Sequence, residues 1–185
     1  MLDKVYAEYR TKMTKTIEVL EAEFARIRTA RANPAILDAV RVNYYDQPTP
    51  LKQVASVSVP EPRQIVVQPW DRTLLPEIEK AIQKAELGLN PKVEANLIRL
   101  VIPALTEERR KELAKVCAKL TEDSRVAVRN LRREANDAVK KLEKDKKITE
   151  DDSKTGTKKV QEMTDEYVKK LDELLKRKEA EIMER

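Results

Sequence analysis

Apolar residues near the start of the chain return at helical spacing: Leu2, Val5, Tyr9, Met13, Leu20, Phe24 and Ile27 fall on one stripe. Leu2, Met13 and Phe24 stand eleven apart, and an eleven-residue period keeps such a stripe nearly straight, with a slight right-handed drift. The pattern breaks at "TARANPA", where Pro34 disfavours the α region for Asn33. The period then becomes two. Val40, Val42 and Tyr44 alternate with polar neighbours, "DQPTP" reads as a turn, "VASVSV" alternates again, "PEPR" turns and "QIVVQ" is a short β-branched run. Asp71 is placed to cap a helix through about Leu87, with Leu75, Ile78, Ile82 and Ala85 inward and Gly88 where a left-handed C-cap belongs. "NLIRLVI" reads as a last strand before Pro103.

The helical period resumes at "LTEERRKEL", with Thr106 as a possible N-cap and Glu107 and Glu108 in the first turn, where the helix dipole favours anions. The stripe Leu113, Val116, Leu120, Ser124, Ala127, Leu131, Ala135, Ala138, Leu142 repeats every eleven residues. Unbroken to Lys146, this helix would be about 60 Å long. "KKITEDDSKTG" turns the chain, Thr149 caps, and Val160, Met163, Tyr167, Leu171, Leu174 and Ile182 mark a further helix; Gly156 weakens its first turns by about 1 kcal/mol relative to alanine. Three stripes of matching period can bury one another as a three-helix bundle. The expected fold is therefore α+β: a long three-helix bundle from residues 1–30 and 106–185, with a small inserted β/α/β domain over residues 31–105. Two short connections join the two bodies and make a plausible hinge, comprising Thr29, Ala30 and Arg31 on one side and Pro103, Ala104, Leu105 and Thr106 on the other.

Charge sharpens this picture. The net charge is +5, and the stretch from Glu107 to Lys147 alone holds 14 basic and 9 acidic residues, so the rest of the chain is neutral. A local basic field is the usual footprint of a polyanion, most often nucleic acid. Its centre is "RVAVRNLRR", with Arg125, Arg129, Arg132 and Arg133 and no acid from Ser124 to Arg133. With Leu131 at zero on a helical wheel, these arginines fall at roughly 120°, 160°, 100° and 200°, a ridge facing away from the expected core. Lys111, Lys115 and Lys140 extend it. Solvated helix faces commonly alternate sign, as "DEYVKKLDELLKRK" does. A ridge of like charge costs stability by repulsion, and arginine suits planar, bidentate contact with phosphate. A rigid rod bearing such a ridge fits a structured RNA surface.

Much chemistry is absent. No histidine is present and Cys117 is the single cysteine, which excludes an intrachain disulfide and a His/Cys zinc site. The two glycines are too far apart for a phosphate-cradling loop. Cys117 lies close to the apolar stripe and reads as a buried structural thiol, and the acid pairs Glu107–Glu108 and Asp151–Asp152 read as helix-start residues. No catalytic residue is expected. "MLDKVYAEYR" lacks an apolar leader region, and no run approaches the ~20 apolar residues of a membrane span, so a cytoplasmic chain is expected.

Three stretches, "ARIRTARANPAILD", "LTEERRKELAKV" and "SRVAVRNLRREANDAVKKLEKDKKITEDD", resemble the ribosome recycling factor family, as do "YYDQPTPLKQVASVSV" and "AELGLNP". The resemblance implies a three-helix bundle with a hinged second domain that, with elongation factor G and GTP, splits post-termination ribosomes into subunits. It implies that the bundle lies on large-subunit ribosomal RNA, that the smaller domain and hinge meet the elongation factor, and that GTP is used by that partner, with no cofactor of the chain's own. It places RNA contacts at Arg28, Arg31, Arg129, Arg132 and Arg133; the ridge adds Lys111 and Arg125. Two positions depart from the family pattern: Ala30 stands where a glycine is common, and Ala104 where a second proline is common. Should position 30 need positive φ, alanine would disfavour it; should it close the first helix, alanine would extend that helix.

Two other classes are compatible with parts of the chain. A coiled-coil interaction protein would need a partner for its stripes, whereas a monomer is expected here. An enzyme could use Arg63, Asp71, Arg72 and Glu77, though turn and cap roles explain these equally well.

Overall fold

The computed structural model describes residues 1–184. The chain forms two compact units, one of Met1–Ile27 with Glu107–Met183 and the other spanning Arg28–Thr106.

The first unit is built from helices α1 (Leu2–Arg26), α4 (Glu107–Lys144) and α5 (Glu150–Met183). Its core is a seam of Met13, Leu20, Cys117, Val128, Ala135, Val139, Val160 and Leu171, all but inaccessible to solvent. Two threonines lie in this seam and satisfy their hydroxyls on the preceding turn: Thr121 donates to the Cys117 carbonyl and Thr164 to that of Val160, both at 2.8 Å. Helix α4 stops through paired hydrogen bonds, from the Lys146 amide to the Glu143 carbonyl and from the Lys147 amide to the Leu142 carbonyl, both 2.9 Å. This closing geometry requires a left-handed residue, supplied by Lys146 at φ 56°. Helix α5 opens on a reciprocal cap: the Asp152 amide donates to Thr149 Oγ1 and the Thr149 amide to Asp152 Oδ2, both 3.1 Å.

Gly156 has a role that periodicity did not reveal. A β-carbon there would meet Val139 Cγ1 at 3.2 Å and both Leu2 Cδ2 and Tyr6 Oη at 3.3 Å. The glycine lets all three helices approach at one point. It is a packing residue rather than only a weak spot in its helix.

The second unit holds a hairpin, β1 (Arg41–Tyr44) with β2 (Gln47–Pro50), and a four-stranded antiparallel sheet in the order β3-β4-β6-β5. These four strands are β3 (Ala55–Glu61), β4 (Gln64–Pro69), β5 (Pro91–Glu94) and β6 (Leu97–Val101). A one-turn helix α2 (Leu51–Val54) precedes β3, and α3 (Leu75–Lys84) covers the sheet's inner side with Ile78 and Ile82. Ile65, Val67, Ile98 and Leu100 supply the strand side of that core.

Three expectations are corrected here. "DQPTP" is not all turn: Gln47–Pro50 pairs with β1, and the turn is Tyr45–Asp46, both at positive φ. Tyrosine is a poor residue for that conformation, and no glycine marks the hairpin. Helix α3 begins at Leu75, after a tight turn over Arg72–Leu74 that Asp71 caps, and ends at Lys84. The left-handed residue that closes it is Glu86; Gly88 is left-handed as well, two residues further on. Strand β5 was unforeseen because "PKVE" begins on proline and alternates weakly.

Candidate nucleic-acid interface

The buried positions of α4 are Leu113, Cys117, Thr121, Val128, Ala135 and Val139. They centre about 50° from Leu131 toward the arginines, while Val116 is exposed. The ridge therefore does not point squarely away from the core, as the wheel suggested. Arg125 and Arg132 flank the buried stripe and are half-buried; Arg129 and Arg133 are exposed. The apolar residues at 3, 4, 4 spacing hid this rotation because Cys117, Thr121 and Val128, not Val116 and Leu120, face the seam.

Two acids outside the run neutralise part of it. Arg125, with a side chain only 21% accessible, donates Nε and Nη2 to Asp172 on α5 and Nη1 to Glu122 at 2.8 Å. Glu122 also accepts from Arg129 Nη1 at 3.1 Å. One carboxylate is thus forked between two arginines four residues apart. Hydrogen bonding from Arg125, and secondarily from Arg129, holds the Glu122 carboxyl below the usual glutamate range. The same bonds to Glu122 and Asp172 push the Arg125 guanidinium still higher. Arg132 donates only to the neutral amide oxygen of Gln161, at 3.2 Å. Among the described residues, no carboxylate lies within 4 Å of Arg132 or Arg133. The run divides into a locked inner arginine, a half-engaged Arg129 and two arginines whose charge is unanswered. Sequence reasoning missed Glu122 and Asp172. The spacing of Glu122 to Arg125 was visible in the sequence; the pairing with Asp172 needs the register of α5 against α4.

Lys111 is exposed on the first turns of α4. Arg28 and Arg31 are exposed in the second unit, where Arg28 Nη1 reaches the Leu87 carbonyl at 3.4 Å. Ala30 is 6% exposed, lies outside the left-handed region and follows a helix that ends at Arg26. Alanine at this position therefore neither strains the backbone nor lengthens α1. The Ile27 carbonyl, at the end of that helix, accepts from Lys178 of α5 at 3.5 Å. Inside the second unit, the Ala32 amide donates to the Pro62 carbonyl at 2.6 Å and the Ile102 amide to the Arg63 carbonyl at 2.9 Å. Pro103, Ala104, Leu105 and Thr106 follow as irregular chain leading to α4.

Of the alternative enzyme candidates, Asp71 and Glu77 have partners that cap or brace the α3 region. Asp71 accepts from the Thr73 amide and hydroxyl at 2.9 and 2.8 Å, and these bonds hold its carboxyl below the usual range. Glu77 pairs with Lys80 one turn on. Cys117 is wholly buried, and that burial raises its thiol pKa, away from reactivity. Among the described residues, no cluster of three or more His, Cys, Asp or Glu side chains is arranged to hold a metal ion, and no helix is long and apolar enough to cross a membrane.

A family model described as ribosome recycling factor matches residues 20–183. The chain belongs to the ribosome recycling factor family. Curated family members match nearly their whole length: the ribosome-recycling factor of Bacillus licheniformis is 54% identical over 184 residues, covering 100% of both chains. That of Caldicellulosiruptor bescii is 57% identical over 173 residues and 94% of each chain. Among solved structures, a solution structure of ribosome recycling factor superposes with a TM-score of 0.71 at 43% identity, covering 98% of this chain and 97% of that one. The Thermus thermophilus recycling factor, described with Escherichia coli elongation factor G on the post-termination complex, superposes at 0.63 with 47% identity over 100% of both chains. The expected fold class, helical bundle plus small antiparallel sheet unit, is that of the family.

Proposed function

We propose that this recycling factor works with elongation factor G and GTP to split the post-termination ribosome into subunits, freeing it from messenger RNA. In this reading the chain is a binding protein rather than an enzyme, it carries no cofactor, and GTP is consumed by the elongation factor. It works in the cytoplasm as a monomer. The bundle is the RNA-facing body, in contact with large-subunit ribosomal RNA through Lys111, Arg125, Arg129, Arg132 and Arg133, with Arg28 and Arg31 beside the first connection. Residues 29–31 and 103–106 serve as the hinge on which the inserted unit moves.

The observation that carries the RNA-facing assignment is the unanswered charge at Arg132 and Arg133, beside the buried stripe of α4 that runs through Val128, Ala135 and Val139. A half-buried and an exposed guanidinium side by side, without carboxylate partners, are set to donate to phosphate. The test follows light scattering of post-termination ribosomes mixed with the protein, elongation factor G and GTP. The expected result is a fall in scattering that needs every component and an intact Arg132. Undiminished splitting by Arg132→Glu would show that the ridge is not the ribosomal face.

A further inference from the structure

The forked carboxylate at Glu122 matters beyond stability. It occupies Nη1 of Arg129 while leaving that arginine exposed, so a phosphate approaching Arg129 meets the repulsion of a carboxylate already bonded there. Arg125 does not depend on Glu122 for its place, because Asp172 holds its Nε and Nη2. Glu122 therefore can lose its charge without releasing the inner arginine, and glutamine, with a single amide oxygen, could accept from only one of the two guanidinium groups. Arg132 and Arg133 have no such competitor within ion-pair distance among the described residues.

We infer that Glu122 is a specificity-determining residue of the ridge, an internal competitor that keeps Arg129 from binding isolated phosphates and yields only to a rigid RNA surface that engages Arg129 and Arg132–Arg133 together. The inference rests on the ridge being the RNA face. A flexible single strand can satisfy Arg132 and Arg133 one phosphate at a time but gains little by also displacing the carboxylate. A folded RNA that presents phosphates in fixed register binds Arg132 and Arg133 first, and the third phosphate is then held against Glu122. Selection arises because Glu122 withholds Arg129 from a ligand that engages the ridge one phosphate at a time.

The experiment measures binding of the full-length protein to polyuridylate RNA, and separately to isolated large ribosomal subunits, across a potassium chloride series. Glu122→Gln should bind polyuridylate several-fold tighter at low salt, with a slope of log K against log salt steeper by about 0.7, one further single-strand phosphate. Binding to large subunits should gain less. In an Arg129→Gln background the gain on polyuridylate should vanish, since the competitor acts through that arginine. The inference is overturned if Glu122→Gln binds polyuridylate no better than the parent, or if its gain survives Arg129→Gln. Large-subunit binding that is indifferent to Arg132→Glu would instead overturn the underlying ridge reading. Helix content by circular dichroism checks each variant; Glu122 is half exposed, so the fold should persist.

Discussion

Helices α4 and α5 are of similar length, 38 and 34 residues, and both are crowded with charge, yet they use it in opposite ways. Helix α5 closes ion pairs along its whole length: Lys154 with Glu150 at 2.9 Å, Lys170 with Glu166 at 2.8 Å and Lys178 with Glu181 at 3.4 Å. Helix α4 does this as far as Arg109–Glu112 and the Glu122 fork, then stops. From Arg132 to Lys144 no basic side chain of α4 has an ion-pair partner among the described residues, although Glu134, Asp137 and Glu143 lie in the same stretch. The order of charges along a helix, more than their number, separates a face that stabilises the fold from one left open to a ligand.

That contrast can be broken most sharply on α4. Arg132→Glu should leave helix content and thermal stability near the parent value while cutting ribosome affinity tenfold or more, the scale of losing charge-assisted hydrogen bonds of about 1.5–3 kcal/mol. A sedimentation binding assay beside a melting curve separates the two. On α5 the opposite signature is expected. Gly156→Val would force its side chain against Val139, Leu2 and Tyr6, costing about 1–3 kcal/mol by overpacking in denaturant titration, with affinity per folded molecule preserved. At the junction of the two helices, Lys146→Gly removes a left-handed lysine and should raise stability by about 0.5–1 kcal/mol.

The smallest effect is in acid. Bonds from the Thr149 amide and hydroxyl hold the Asp152 carboxyl below its ordinary value. Its contribution is therefore complete above the unfolded-state value of about 3.9 and is lost as pH falls through the lower folded one. Asp152→Asn should be slightly less stable at neutral pH, with a shallower decline in stability below about pH 4. An equally steep acid limb in the variant would show that the α5 cap contributes nothing to the pH dependence.

The long elements were legible because their signals are redundant. Each of the three helices repeats its stripe several times, so the type of element survived errors in phase. Phase itself was not safe. In α4 the buried line runs through Cys117, Thr121 and Val128, and a polar threonine that satisfies its own hydroxyl one turn back gives no apolar signal. The arginine cluster was evident as composition, and the resemblance of "SRVAVRNLRR" to its family gave it a meaning. Which arginines are engaged depended on Asp172, 47 positions from Arg125 along the chain, and no local pattern encodes that neighbour. The short elements failed differently. Tyr45 and Asp46 adopt left-handed backbone without glycine, so the hairpin turn they make is held by the β1–β2 pairing rather than announced by residue type, and Glu86 does the same at the end of α3.

The pair of amide bonds from Ala32 and Ile102 to the consecutive carbonyls of Pro62 and Arg63 has a mechanical meaning. The chain enters and leaves the inserted unit beside one β-turn, so tension carried along either connection arrives at the same anchorage. At the entry, Ala32 is bonded to the turn; at the exit, Ile102 is bonded to the same turn and continues directly from β6. Entry and exit of the unit thus share one turn as a common anchorage.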